Sequence, residues 1–242
     1  MFEWLEYEEM VGRRWHRWAS RAASYPHHPE AAVHLESLRD CLGTCFRAHG
    51  GEPGLALDAL QPQASGHRLT WRQRLGLDRE YLEMPRRDDE YVVLPAAIDC
   101  FPDAELNRQA YFWLVAYLAR VPRLPEAADP LQADVLFLHA VNRTVTAICG
   151  ELPAMAQRYR RLGKALLDLR PARRLPEREA DIERVIRALL GGPVPQSGAA
   201  ARLHEMLQDS DIRVDSIRAP RGYLSFLPVP IWGSAVSRAS AP

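Results

Sequence analysis

The side chains best suited to chemistry fall in the second helical stretch of the sequence. His34, Cys41, Cys45 and His49 carry soft and borderline donors there. On one continuous helix they would share an arc of about 80°, and Cys or His residues four apart can close on a zinc ion. A helix would also set His34 and His49 roughly 22 Å apart along its axis. One ion therefore reaches Cys41 with Cys45, or Cys45 with His49, and needs further ligands from elsewhere. The alternative reading is packing: Ala31, Leu38 and Leu42 share the same arc, and free cysteine behaves as a small buried hydrophobe. The expectation is packing, with Cys41, Cys45 and His49 as the metal candidates.

The other chemical patterns fail on their own requirements. "HEMLQ" at His204 has Gln208 where a zinc-protease helix needs its second histidine ligand. "LGK" ending at Lys164 lacks both the upstream glycine and the following hydroxyl residue of a phosphate loop. No GxSxG or GxGxxG occurs. The residues do not assemble a catalytic constellation, so the expected class is a binding or assembly protein rather than an enzyme, with no cofactor of its own.

A second kind of chemistry is charge. Between Arg158 and Arg174 there are seven basic residues and one acid, Asp168. Arg158, Arg160, Arg161, Lys164, Arg173 and Arg174 are the candidate partner-binding face. A solvated helix surface or a protein-docking surface explains the run better than nucleic acid does. No aromatic residues alternate with the arginines as base-stacking platforms, and formal net charge over 242 residues is zero. Of 31 basic residues only Lys164 is lysine. Such arginine enrichment is compatible with a coding bias, and it equips the chain for bidentate carboxylate contacts.

The elements that must position these residues are mostly helical. Residues 2–23 read as an amphipathic helix with Trp4, Val11, Trp15 and Trp18 on one stripe. A second helix is expected from Pro29 to the Gly50–Gly51 pair. Residues 52–101 change character: "GLALDAL" suits a strand, "HRLTWRQRLGL" a short helix, and "EYLEM" and "EYVVL" a hairpin turning at "PRRDD". From Pro102 the helical period returns on Leu106, Ala110, Trp113, Leu114, Tyr117, Leu118 and Val121. A fourth helix runs from Pro130 to about Cys149, and its "VLFLHAV" centre is apolar on nearly all sides, so it is expected in the middle of the body. Met155, Tyr159, Leu162, Leu166 and Leu169 mark a fifth; Ile182, Val185, Ile186 and Leu189 a sixth; Leu203, Met206 and Leu207 a short seventh. The aromatic runs "YFWL" and Trp4/Trp15/Trp18 follow helical spacing and read as core rather than binding platforms.

The fold class expected is thus mainly α, a multi-helix bundle-like domain over residues 1–222 with a small β-containing insertion at about 52–101. Residues 223–242, "YLSFLPVPIWG" and its polar tail, read as a proline-stiffened exit segment or linker. The acidic N-terminus lacks a secretory pattern, and no apolar run approaches the ~20 residues that span a bilayer. Four cysteines are too few for a disulfide scaffold. The expected location is the cytoplasm.

Four stretches together carry a family resemblance: "GRRWHRWASRAASYPHHPEAAVHLESLR", "SGHRLTWRQRLGL", "IDCFPDAELNRQAYFWLVAYLA" and "FLPVPIWG". They resemble the N-terminal region of NorD-type nitric oxide reductase activation proteins and the related CbbO-type rubisco activation proteins. That resemblance implies an adaptor coupling a MoxR-type AAA+ ATPase ring to a client. The client is nitric oxide reductase, with insertion or maturation of its non-haem iron, or inhibited rubisco, freed of tight-binding sugar phosphates. It implies further that the family architecture continues into a von Willebrand A domain binding Mg²⁺ through a DxSxS loop. No DxSxS occurs in this sequence, so Mg²⁺ is expected only in that further domain, no functional residue is carried over, and the chain reads as a truncated or naturally short form. A zinc module built on Cys45 and His49, or a nucleic-acid binder using the basic run, stands as an alternative class.

Overall fold

The computed structural model describes residues 25–60, 84–125 and 127–236. The expected helix over 2–23 and the "HRLTWRQRLGL" helix lie outside them. The described part is mainly α: helices α1 (Arg39–Ala48), α2 (Ala104–Arg120), α3 (Pro130–Glu151), α4 (Pro153–Leu169), α5 (Glu177–Leu189) and α6 (Gly198–Met206). Short strands add β1 (Val33–His34), β2 (Ala56–Ala59), β3 (Arg86–Arg87), β4 (Tyr91–Leu94), β5 (Ala97–Ile98) and β6 (Ser234–Ala235).

Helix α2 is the hub. It packs on α1, α3, α4, β1, β4 and β5. Asp103 caps it by accepting from the Glu105 N–H at 2.8 Å, and Pro122 follows its end. From Trp113 to Ala119 every residue is buried. A helix apolar on all sides can only sit inside other elements, and each fully buried large side chain contributes ~1.5–3 kcal/mol. The central position expected for the 130–149 helix therefore belongs to α2. The Val135–Val141 stretch of α3 is largely buried, but α3 beyond it turns Arg143, Thr146 and Ala147 to solvent.

Prolines and glycines set the joints. Only Leu152 separates α3 from α4, because Pro153 has no N–H to continue the first helix yet suits the first turn of the next. Helix α5 ends with Gly191 at φ +96, while the Gly191 and Gly192 N–H groups return to the Ala188 and Arg187 carbonyls.

Three expectations change. The helix expected from Pro29 starts only at Arg39. Residues 29–37 instead form two 3-10 turns around β1, which pairs antiparallel with β5, Val33 opposite Ile98. Burial of Val33 and Leu35 against α2's surroundings outweighs the local helical pattern. Of the expected hairpin, residues 80–83 of "EYLEM" lie outside the described residues; the strand that pairs antiparallel with β4 is Arg86–Arg87, inside the stretch expected to turn. Asp88 supplies the turn chemistry in place of glycine: its Oδ1 accepts from the Glu90 and Tyr91 N–H groups at 2.8 and 2.7 Å. Finally, the sheet is not confined to the insertion. Its order is β2-β4-β3-β6, with β6 drawn from the chain's last described residues and parallel to β3.

Residues 223–236 are therefore sewn into the body. Tyr223, Val229, Ile231, Trp232 and Ala235 are buried. The Trp113 indole N–H donates to the Ile231 carbonyl at 2.9 Å and the Tyr117 hydroxyl to that of Gly233 at 3.2 Å. Tyr223 donates to Asp134 Oδ2 at 2.7 Å. The irregular path from Leu207 to Ala219 is pinned along α3 by side chains bonding its backbone: Gln132 to Ile217, His139 to Asp209, Asn142 to Leu207 and Arg143 to Ser210.

Packing is tight enough to test at one atom. A Cβ on Gly163 of α4 would stand 2.4 Å from the Leu190 carbonyl oxygen, whereas one on Gly150 meets nothing within 4 Å. Gly163→Ala is expected to lower stability by about 1–3 kcal/mol and Gly150→Ala to raise it by up to about 1 kcal/mol. Urea unfolding of the two variants checks the contrast, and an unchanged Gly163→Ala midpoint would refute the close α4–α5 approach.

Candidate partner-binding surface

The inner stripe of α4 holds the helix in place. Met155, Tyr159, Leu162 and Leu166 are buried, Tyr159 stacks 4.6 Å from Trp113, and its hydroxyl donates to the Leu189 carbonyl at 2.9 Å. This fixes which way the outer side faces. Gln157, Arg160, Arg161, Lys164 and Asp168 are all exposed and share an arc of about 100°.

The six candidate cations divide. Arg160, Arg161 and Lys164 form the outer row. Arg158 turns inward: its guanidinium lies 5.5 Å from the Phe112 ring centre and reaches the Met155 sulfur at 3.0 Å. Burial pulls its pKa down. Arg173 and Arg174 are exposed beyond the helix end, and Arg173 lines a small cleft with Glu179 and Leu224.

Arg170 is the residue sequence reasoning missed. Its side chain is 1% exposed. It bonds Glu183 through two nitrogens, both at 2.8 Å, the Tyr25 hydroxyl at 2.6 Å and the Leu227 carbonyl at 2.9 Å. Arg187 joins the same carboxylate at 2.9 Å. One guanidinium thus ties the end of α4 to α5, to the first described residue and to the 223–236 segment, a task for which its planar fork of donors is suited. Other arginines satisfy carbonyls left open at helix ends: Arg87 donates to Ala119 and Val121 at 3.4 and 3.0 Å, and Arg120 to His49 at 3.2 Å. The abundance of arginine thereby acquires a structural use.

The metal candidates separate with the shortened helix. His34 lies on β1 and His49 is the residue closing α1. Cys41 is exposed and Cys45 half-buried one turn on; burial and the neighbouring Cys41 raise the Cys45 thiol. Burial, with Arg120 and Arg158 nearby, lowers the His49 imidazole. Among the described residues no three His, Cys, Asp or Glu side chains are grouped to hold a metal ion.

The buried thiol and phenols are held neutral. Burial pushes the Cys100 thiol up to about 12 and raises the phenols of Tyr111, Tyr117 and Tyr159. One small cleft is lined by Arg173, Glu179, Glu183, Tyr223 and Phe226, and a more open depression by Arg39, Asp40, Arg47 and Leu57. No described helix is long and apolar enough to cross a membrane.

What these observations define is a mainly helical unit whose polar chemistry lies at its surface and in its internal ties. No family model matches the chain, and no solved structure matches it. Curated sequences do. The chain is 38% identical over 98% of its length to protein NorD of Brucella abortus, 36% of which is covered. Over 78% of its length it is 33% identical to protein NorD of Stutzerimonas stutzeri and 35% identical to an uncharacterized protein of Pseudomonas aeruginosa, covering 29% of each. Along nearly its whole length the chain is similar to the N-terminal region of NorD-type proteins. It spans about a third of the length of these relatives.

The raised thiol and phenols set a pH dependence. Their folded pKa values exceed the unfolded ones, so their contribution is fully present below the ordinary thiol value of 9.0 and is lost as pH rises through the folded values. The urea midpoint is expected to change little from these groups between pH 7 and 9 and to fall between 9 and 12, with Cys100 unreactive to thiol reagents until unfolding. Rapid modification of Cys100 in the native protein at pH 8 would contradict this.

Proposed function

We propose that this chain is a non-catalytic adaptor region that docks a MoxR-type AAA+ ATPase ring and, as part of a NorD-type protein, couples it to nitric oxide reductase in the cytoplasm. The observation that carries the reading is the match to protein NorD along nearly the whole chain. The fold accords with it: polar groups inside the body are consumed by packing ties, as at Arg170 and Glu183, and buried thiol and phenol groups are kept protonated by desolvation.

In this reading the ring supplies the ATP-driven work and the helical unit supplies the grip. Further family parts, including a Mg²⁺-binding von Willebrand A domain, contact the client. The outcome for the client is insertion or maturation of its non-haem iron. A CbbO-type role on rubisco belongs to the same resemblance; kinship to proteins named NorD favours the reductase.

The test is co-purification of residues 1–242 with the cognate ATPase and, separately, with nitric oxide reductase. Retention of the ATPase without the reductase is the expected result. Retention of the reductase alone would reverse the division of labour, and capture of rubisco would move the chain to the CbbO side.

A further inference from the structure

The outer row of α4 differs from the cation-bearing faces of α5 and α2 in where its counter-charges are. On α5, Arg178 and Arg184 face Asp181 and Arg187 faces Glu183. On α2, Arg108 faces Glu105 and Arg120 faces Glu151. Arg160, Arg161 and Lys164 are exposed, and none has a carboxylate partner among the described residues. Asp168, the one acid on the row, stands a turn beyond Lys164 without closing a salt bridge to it. The inner stripe is locked to Trp113 and Leu189, so the row is displayed on a fixed support rather than on a mobile loop.

We propose that this row is a docking surface for a carboxylate-rich segment of a partner protein. Three cations within one and a half turns match alternating carboxylates on a facing helix or extended segment, and the two guanidinium forks favour bidentate carboxylate contacts. Nucleic acid fits less well. The row bears no aromatic group for base stacking, carries Asp168 among its cations, and belongs to a chain of zero formal charge. An anionic membrane surface fits less well too, because no apolar side chain on the row would enter the interface. Lys164, the only lysine in the chain, sits in the middle of the row and supplies a unique chemical reporter. The proposal deepens the adaptor reading by naming a docking face, and rests on that reading for its biological role.

The experiment uses the full chain and a fluorescent, N-acetylated oligoglutamate peptide at low ionic strength. Binding is expected, weakening as salt is added, and R160E/R161E/K164E is expected to weaken it at least about tenfold. A matched triple reversal of exposed arginines elsewhere, R202E/R213E/R221E, leaves it unchanged. A carbodiimide then joins the Lys164 Nζ to a peptide carboxylate as an amide; the water lost is taken up by the carbodiimide as its urea. Peptide mapping is expected to find the adduct at Lys164. If the triple reversal fails to fold, R160Q/R161Q/K164Q and the wild-type adduct carry the test. Undiminished binding by the triple variant overturns the proposal, as does absence of peptide binding. Lys164 joined to Glu3, Glu6, Glu8 or Glu9 of the same chain would overturn it in favour of an internal occupant. Duplex DNA or phosphatidylserine vesicles that bind the row and are not displaced by the peptide would also overturn it. No ATPase is present in these arms, so failure here with ATPase capture intact refutes the face alone, not the adaptor.

Discussion

The complete burial of the Trp113–Ala119 stretch of α2 is the constraint on which the rest of the molecule depends. A helix whose residues from Trp113 to Ala119 are all inside leaves no face for water, so α1, α3, α4 and the strands must enclose it. Burying so much aromatic surface brings polar atoms with it, and each needs a partner. Trp113 and Tyr117 find theirs in the backbone carbonyls of Ile231 and Gly233, and Tyr111 in that of Pro95. The hub thereby requires the 223–236 segment: it is the lid that satisfies the hub's polar tips and completes the sheet through β6.

The same economy governs charge. Asn107, fully buried, holds two loops at once, accepting from the Phe101 N–H and donating to the Ala31 and Phe101 carbonyls. Arg170 and Glu183 form an internal ion pair that reaches Tyr25 and Leu227. Breaking one half of such a pair would strand the other charge inside, so these groups serve the fold and are not free for catalysis. What remains for recognition is the exterior, and on α4 that exterior is fixed by how firmly its inner stripe is held.

Much of this was legible in the sequence. The five helices from Ala104 to Met206 announced themselves through apolar period, and the second of them through Pro130 as its start. The exposed trio Arg160, Arg161 and Lys164 followed from the opposite stripe. Illegible were features decided by distant partners. Val33 becomes a strand because Ile98 meets it; Arg158 turns inward because Phe112 lies under it. Arg170 looks like its basic neighbours until Glu183, Tyr25 and Leu227 surround it. Nor does the pattern of 223–233 alone reveal that its carbonyls complete the core.

The most direct measurement is native-state hydrogen exchange across α2 and residues 223–236. If the hub and its covering segment form one cooperative unit, amides of Trp113–Ala119, Ile231 and Trp232 open only with global unfolding and share its free energy. Exchange of Ile231 and Trp232 through a low-energy local opening, with α2 still protected, would contradict the account and make the closing segment an appendage rather than a part of the core.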